Sequence, residues 1–150
     1  MDITATYVFD APVDRVWALL MDTTAIAECL PGCRGLHPLG GDRYEAELAV
    51  AVAAISGNFK STMALTDKVV PVSYRLLVEA TGRPGFVKGD ARIELVPDGK
   101  QTKVQVASRA EVGGTIARVG QRLLEGVARM TMDRFYGCLK SRLSAADIIE

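Results

Sequence analysis

Apolar and polar positions alternate from the first residues of the chain. Ile3, Ala5, Tyr7 and Phe9 fall on one face of a period-two segment and Thr4 and Thr6 on the other, which predicts a β-strand. At Asp10-Ala11-Pro12 the period becomes helical. Pro12 has the fixed φ that suits a first helical position, Asp14 favours the dipole of the first turn, and Val13, Val16, Trp17 and Leu20 follow at helical spacing. A second short helix is predicted from Thr24 to Cys29, stopped by Leu30-Pro31-Gly32. From Cys33 to Val112 the period returns to two, broken at 38–42, 55–58, 68–72, 82–85 and 97–101, which leaves six further strands.

Within these strands Tyr44, Ala46, Leu48 and Val50 share a face, as do Phe59, Met63 and Leu65, then Tyr74, Leu76 and Val78, then Ala91, Ile93 and Leu95, then Val104 and Val106. Charged residues including Glu45, Lys60, Arg75, Glu79, Arg92 and Lys103 take the alternate positions, so an antiparallel sheet with one wet and one dry face is predicted. A helix over about Gly114 to Leu143 would cover the dry face. On a helical wheel Arg118, Arg122, Glu125, Arg129, Asp133, Tyr136 and Lys140 gather on one side, while Ile116, Val119, Leu123, Leu124, Val127, Met130, Phe135 and Leu139 form a broad apolar arc. Arg134 falls on that arc, where it would snorkel outward, pair with a carboxylate or meet a polar head group. The order is strand, two helices, six strands and long helix, in a single domain over residues 1–150.

Composition removes several classes of function. Eighteen Lys and Arg balance eighteen Asp and Glu, so no basic excess points to nucleic acid. The longest apolar run, Leu48 to Ile55, is far below the roughly 20 residues that a membrane-spanning helix requires. With no secretory signal pattern after Met1, a cytoplasmic location is expected. Cys29, Cys33 and Cys138 are therefore expected to be reduced, buried thiols.

Three segments then narrow the reading. Ala11-Pro12-Val13-Asp14-Arg15-Val16-Trp17 opens the first helix, and the element order resembles the helix-grip or START-like (SRPBCC) superfamily, whose birch-pollen-allergen members bind lipidic ligands. Leu30-Pro31-Gly32-Cys33, Gly85-Phe86-Val87-Lys88-Gly89 and the run from Val112-Gly113-Gly114 through Ala117-Arg118-Val119-Gly120-Gln121-Arg122-Leu123 to Gly126 resemble the family of the carbon monoxide dehydrogenase G protein. The resemblance implies an α+β fold in which a seven-stranded antiparallel sheet grips the C-terminal helix, an internal apolar cavity, and association with a molybdenum hydroxylase or the membrane quinone pool. It makes the 82–89 loop, with Phe86 and Lys88, a candidate gate, the alternative being a plain hairpin. Some members carry a long tail ending in a membrane anchor; this chain has Ala145-Ala146-Asp147-Ile148-Ile149-Glu150 there instead, so permanent anchoring is not expected.

Catalytic chemistry finds little support. His37 is the only histidine, so a triad or multi-histidine metal site has no second imidazole. Gly82, Gly85 and Gly89 lack the lysine and Ser or Thr of a phosphate loop. Neither an enzyme nor a cofactor or metal is expected.

Small residues suggest room inside instead: nineteen Ala and fourteen Gly stand against nine aromatics. Gly120, at the middle of the apolar arc, either lets the sheet approach or leaves space for a ligand. The expected ligand-binding residues are Phe59, Met63, Leu76, Val78, Phe86, Ala91 and Val106 from the sheet, with Ile116, Gly120, Leu123 and Val127 from the final helix. Gly120→Phe is expected to abolish uptake and leave the domain folded.

The expected function is that of a non-enzymatic carrier or accessory protein that holds a lipid-like or quinone-like molecule for a hydroxylase of the carbon monoxide dehydrogenase type. The alternative is a ligand-free assembly or membrane-recruitment factor. In that case the basic helix, six Lys and Arg against Glu125 and Asp133 between Gly114 and Leu143, would meet the partner or the inner face of the membrane.

Overall fold

A computed structural model describes residues 1–52 and 55–149, with side chains through Leu143 except that of Val52. In chain order the elements are β1 (Asp2–Phe9), α1 (Val13–Leu20), α2 (Thr23–Cys29), β2 (Cys33–Gly40), β3 (Arg43–Val52), β4 (Ile55–Val69), β5 (Ser73–Gly82), β6 (Gly85–Asp98), β7 (Gln101–Gly113), a 3-10 segment (Thr115–Val119) and α3 (Gln121–Ile149). The strands form one antiparallel sheet in the order β1-β7-β6-β5-β4-β3-β2. Period two fixes its faces. Tyr7 lies beside Val104, Val104 beside Leu95, and Ile93 beside Tyr74, all pointing inward. On the outer face Arg75 makes a charge-assisted hydrogen bond with Asp90 (Nε to Oδ1, 2.8 Å), Lys60 pairs with Glu45 at 3.0 Å and Arg92 with Glu94 at 2.9 Å.

Local chemistry sets the helix boundaries. Pro12 precedes α1, which buries Val16, Trp17 and Leu20. The Asp22 side chain accepts from the Thr24 and Ala25 amides at 3.0 and 3.3 Å and so caps α2. Both helices and the C-terminal half of α3 close one end of the sheet, around Phe9, Val16, Trp17, Leu20, Tyr74, Leu95, Tyr136 and Leu139. Each such side chain, fully buried, contributes about 1.5–3 kcal/mol. The Thr102 hydroxyl, itself buried, donates to the Ala11 carbonyl at 2.8 Å and fixes the turn from β1 into α1.

Several expectations need correction. The final helix is not continuous: the backbone breaks at Gly120, whose φ of 101° and ψ of 147° only glycine adopts easily. Cys29 and Cys138 are joined in a disulfide, with Cα atoms 5.3 Å apart, and Cys33 alone is a free thiol. The bridge, together with an Arg142–Glu28 ion pair, staples α2 to α3. The break expected at 55–58 falls earlier, because Ile55, Ser56, Gly57 and Asn58 pair with Val52, Ala51, Val50 and Ala49; Ala53 and Ala54 lie outside the described residues, as does Glu150. Tyr136, placed on the charged side of the wheel, is buried because the Tyr7 ring stacks on it at 4.3 Å. Arg134 is exposed.

Candidate ligand-binding site

The inner face of the sheet is buried at both ends and half-buried between them. At the end away from α1 and α2, Ile55, Phe59, Ala80 and Ile116 form a second buried cluster, with Val87, Val112, Leu124 and Val127 against it. Ile116 is brought there by the 3-10 segment. Its amide donates to the Pro84 carbonyl at 2.8 Å, which ties that segment to the turn between β5 and β6. A Cβ on Gly114 would lie 2.6 Å from the Gly85 Cα, so the close crossing of the two chains requires glycine there.

Between the clusters Met63, Leu76, Val78 and Ala91 point inward yet are only half-buried. Gly89, opposite Val78, adds no side chain. The backbone of α3 approaches α2, β1 and the 3-10 segment rather than the central strands, so the middle of the sheet lacks the cover its ends receive. The middle of the inner face is thus apolar and less covered than its ends.

The expected site residues divide across this arrangement. Met63, Leu76, Val78 and Ala91 share the half-buried middle of the inner face, Leu76 and Ala91 against the first core. Phe59 and Ile116 are buried in the second cluster and Val106 in the first core. Val127 is half-buried against the Ile116 cluster. Leu123 instead is exposed in an open groove of about 540 Å³ with Val119, Arg122, Gly126, Val127 and Met130. Gly120 sits at the exposed junction of the 3-10 segment and α3 with nothing near its Cβ position, so Gly120→Phe would strain the backbone rather than fill the site. Phe86 is on the outer face: it pairs with Gly113, its ring covers that glycine, and the Lys88 ammonium lies 5.8 Å from the ring centre. Neither Phe86 nor Lys88 lies on the inner face of the sheet. A second groove, of about 740 Å³, opens beside the outer face and carries Asp2, Glu79, Lys88, Asp90 and Arg109.

Residues 8–144 match the CoxG family, described as the G subunit of carbon monoxide dehydrogenase. The chain belongs to the CoxG family. A conserved protein from Geobacillus kaustophilus, 33% identical, superimposes with a TM-score of 0.95 over 97% of both chains. A START superfamily protein from Mycobacterium smegmatis is 18% identical with a TM-score of 0.74, covering 97% of this chain and 98% of that one. The Zhui aromatase/cyclase from Streptomyces sp. R1128 is 15% identical with a TM-score of 0.70, covering 95% and 92%. No curated protein matches the sequence. The fold is thus helix-grip and START-like, and fold alone does not fix function, so the chemistry must be read from the site.

In this CoxG chain the interior is neutral. Tyr7 donates to Asp133 at 2.8 Å, and burial first, then that hydrogen bond, raises its pKa. Burial raises Tyr74 and Tyr136 as well. All three phenols therefore keep their protons at neutral pH. Alternation along β5 puts Tyr74 on the inward face, but nothing in the sequence marks it, or Tyr136, as functional. Among the described residues no three His, Cys, Asp or Glu side chains gather as metal ligands, and His37 is exposed on β2. At its middle the inner face presents apolar side chains, beside a core whose buried phenols are protonated.

Proposed function

We propose that this CoxG-family chain is an accessory carrier: it holds an apolar, lipid-like or quinone-like molecule between the central strands and α3 and serves a molybdenum hydroxylase of the carbon monoxide dehydrogenase type. One observation carries the reading. The inward side chains at the centre of the sheet are half-buried and apolar while both ends are closed. Covering such surface with a ligand returns about 25 cal/mol per Å². Membership of the CoxG family supports the hydroxylase as partner. No helix among the described residues is long and apolar enough to cross a membrane. The proposed location is the cytoplasm, at or near the inner face of the membrane, where the proposed hydroxylase partner would be met.

The test is transfer of pyrenyl-decane from phosphatidylcholine vesicles to the protein. Ala91→Phe and Val78→Trp fill the hollow from the sheet side and should reduce uptake at least tenfold, with the thermal midpoint held. Undiminished uptake in both variants would refute the site. A second reading, a ligand-free recruitment factor, draws on the exposed Leu123 groove with Arg118, Arg122 and Arg129 nearby. It requires that the wild-type protein take up no probe at all.

A further inference from the structure

The last helix is hinged at its start, fastened toward its other end and weakened between the two. At the start the backbone breaks at Gly120, in the left-handed region at a φ of 101°, and no atom among the described residues lies near that glycine's Cβ position. Gly126 and Gly137 within α3 also meet nothing there, so no close approach requires them, and each lowers the intrinsic stability of the helix. Toward its other end α3 is tied to α2, the element it approaches most extensively. The Cys29–Cys138 disulfide makes that tie, and the Arg142–Glu28 ion pair lies one residue from it on α2 and one turn from it on α3. Cys29 is buried, whereas Cys138 is half-buried and so within reach of a reagent from solvent. Where a cytoplasmic protein carries a disulfide, the bond is usually transient, catalytic or redox-sensing rather than a permanent staple.

We infer that the Cys29–Cys138 pair is a reversible redox latch on α3: as a disulfide it locks the helix to α2, and as two thiols it lets the helix loosen about the Gly120 break and uncover the inner face of the sheet. The cytoplasmic setting and the value of uncovering that face rest on the carrier reading. The partner reagent is a dithiol. Its thiolate attacks the Cys138 sulfur and forms a mixed disulfide, and Cys29 leaves as a thiolate that takes up a proton. The second thiol of the reagent then attacks the mixed bond and releases Cys138, which is protonated in turn. The dithiol is oxidised by two electrons to its disulfide and the bridge is reduced to two thiols; the same steps in reverse close the latch. Tyr136, Leu139 and Leu143 still hold the freed helix to the core, so the loosening is a local opening rather than unfolding.

The test is amide hydrogen exchange, read by mass spectrometry, on the full chain as the disulfide and in excess dithiothreitol without denaturant. A staple of the whole fold and a latch on one helix differ in where exchange quickens. In the disulfide form residues 130–143 of α3 should exchange no faster than β5, β6 and β7. In the reduced form they should exchange at least tenfold faster than those strands, and removing the dithiol and adding its oxidised form should restore the first pattern. The Cys29→Ser/Cys138→Ser variant should show the loosened pattern in both conditions, while Cys33→Ser should respond as the parent does. Equal acceleration of helix and strands, or a bridge that dithiothreitol opens only after denaturation, would overturn the latch. Release of pyrenyl-decane to vesicles should be at least fivefold faster from the reduced chain, and an unchanged rate beside a loosened helix would overturn the uncovering of the inner face. A chain that takes up no probe in either state refutes the carrier reading, and the exchange pattern then decides the latch by itself.

Discussion

The disulfide gives the fold its sharpest quantitative test. Cys29 and Cys138 are 109 positions apart, so the bridge removes a very large loop from the unfolded ensemble. Loop-closure entropy for that length corresponds to about 4–5 kcal/mol at 25 °C. Replacing both cysteines by serine should therefore lower the thermal midpoint by roughly 10–20 °C, since in a domain of this size 1 kcal/mol moves it by about 2–4 °C. The assay is calorimetry or circular dichroism of oxidised protein, protein held in excess reductant, and the Cys29→Ser/Cys138→Ser variant. Reduction and mutation should give the same loss, and alkylation of the denatured oxidised chain should label Cys33 alone. A double variant within about 2 °C of the parent would refute the reasoning. In a reducing compartment the pair would exist as thiols and this increment would be absent.

Other consequences follow from single residues. Ile116→Ala should cost about 2–5 kcal/mol in urea unfolding and speed probe release, because it unplugs the far end of the hollow; slower release would contradict its place there. Gly120→Ala should cost about 1–3 kcal/mol through backbone strain alone, and a neutral or stabilising effect would mean that the 3-10 segment and α3 join differently. Raised pKa values at Tyr7, Tyr74 and Tyr136 mean that the folded chain holds these protons more tightly than the unfolded one. Their contribution is complete below the ordinary tyrosine pKa of about 10 and is lost progressively above it, so stability should decline there. Tyr74→Phe/Tyr136→Phe should flatten that decline, and an unchanged slope would contradict the burial of the two phenols.

Much of the scaffold was legible in local pattern. Alternation set seven strands and their inner face, and Pro12 and Leu30-Pro31-Gly32 marked where helices start and stop. Parity along β6 already held a warning about Phe86: with Ala91, Ile93 and Leu95 inward, an even-numbered residue of the same strand must point out. What failed depended on contacts remote in sequence. The bridge between Cys29 and Cys138 exists because α2 packs on α3. Tyr136 is covered by Tyr7, a residue of the first strand that no wheel of the last helix includes. At Gly120 the side-chain pattern continues across a backbone break, and only the φ of that residue reveals it. Sequence placed Met63, Leu76, Val78 and Ala91 on the inner face because period two is enough for a sheet face.

The claim beneath all of this is that the inner face of the sheet is a container. Native mass spectrometry of the protein, followed by solvent extraction and identification of whatever accompanies it, addresses that claim directly. After incubation with membrane lipid extract, the expected result is a one-to-one complex with an apolar molecule, displaced by Ala91→Phe. A chain that stays at its bare mass through that incubation would contradict it.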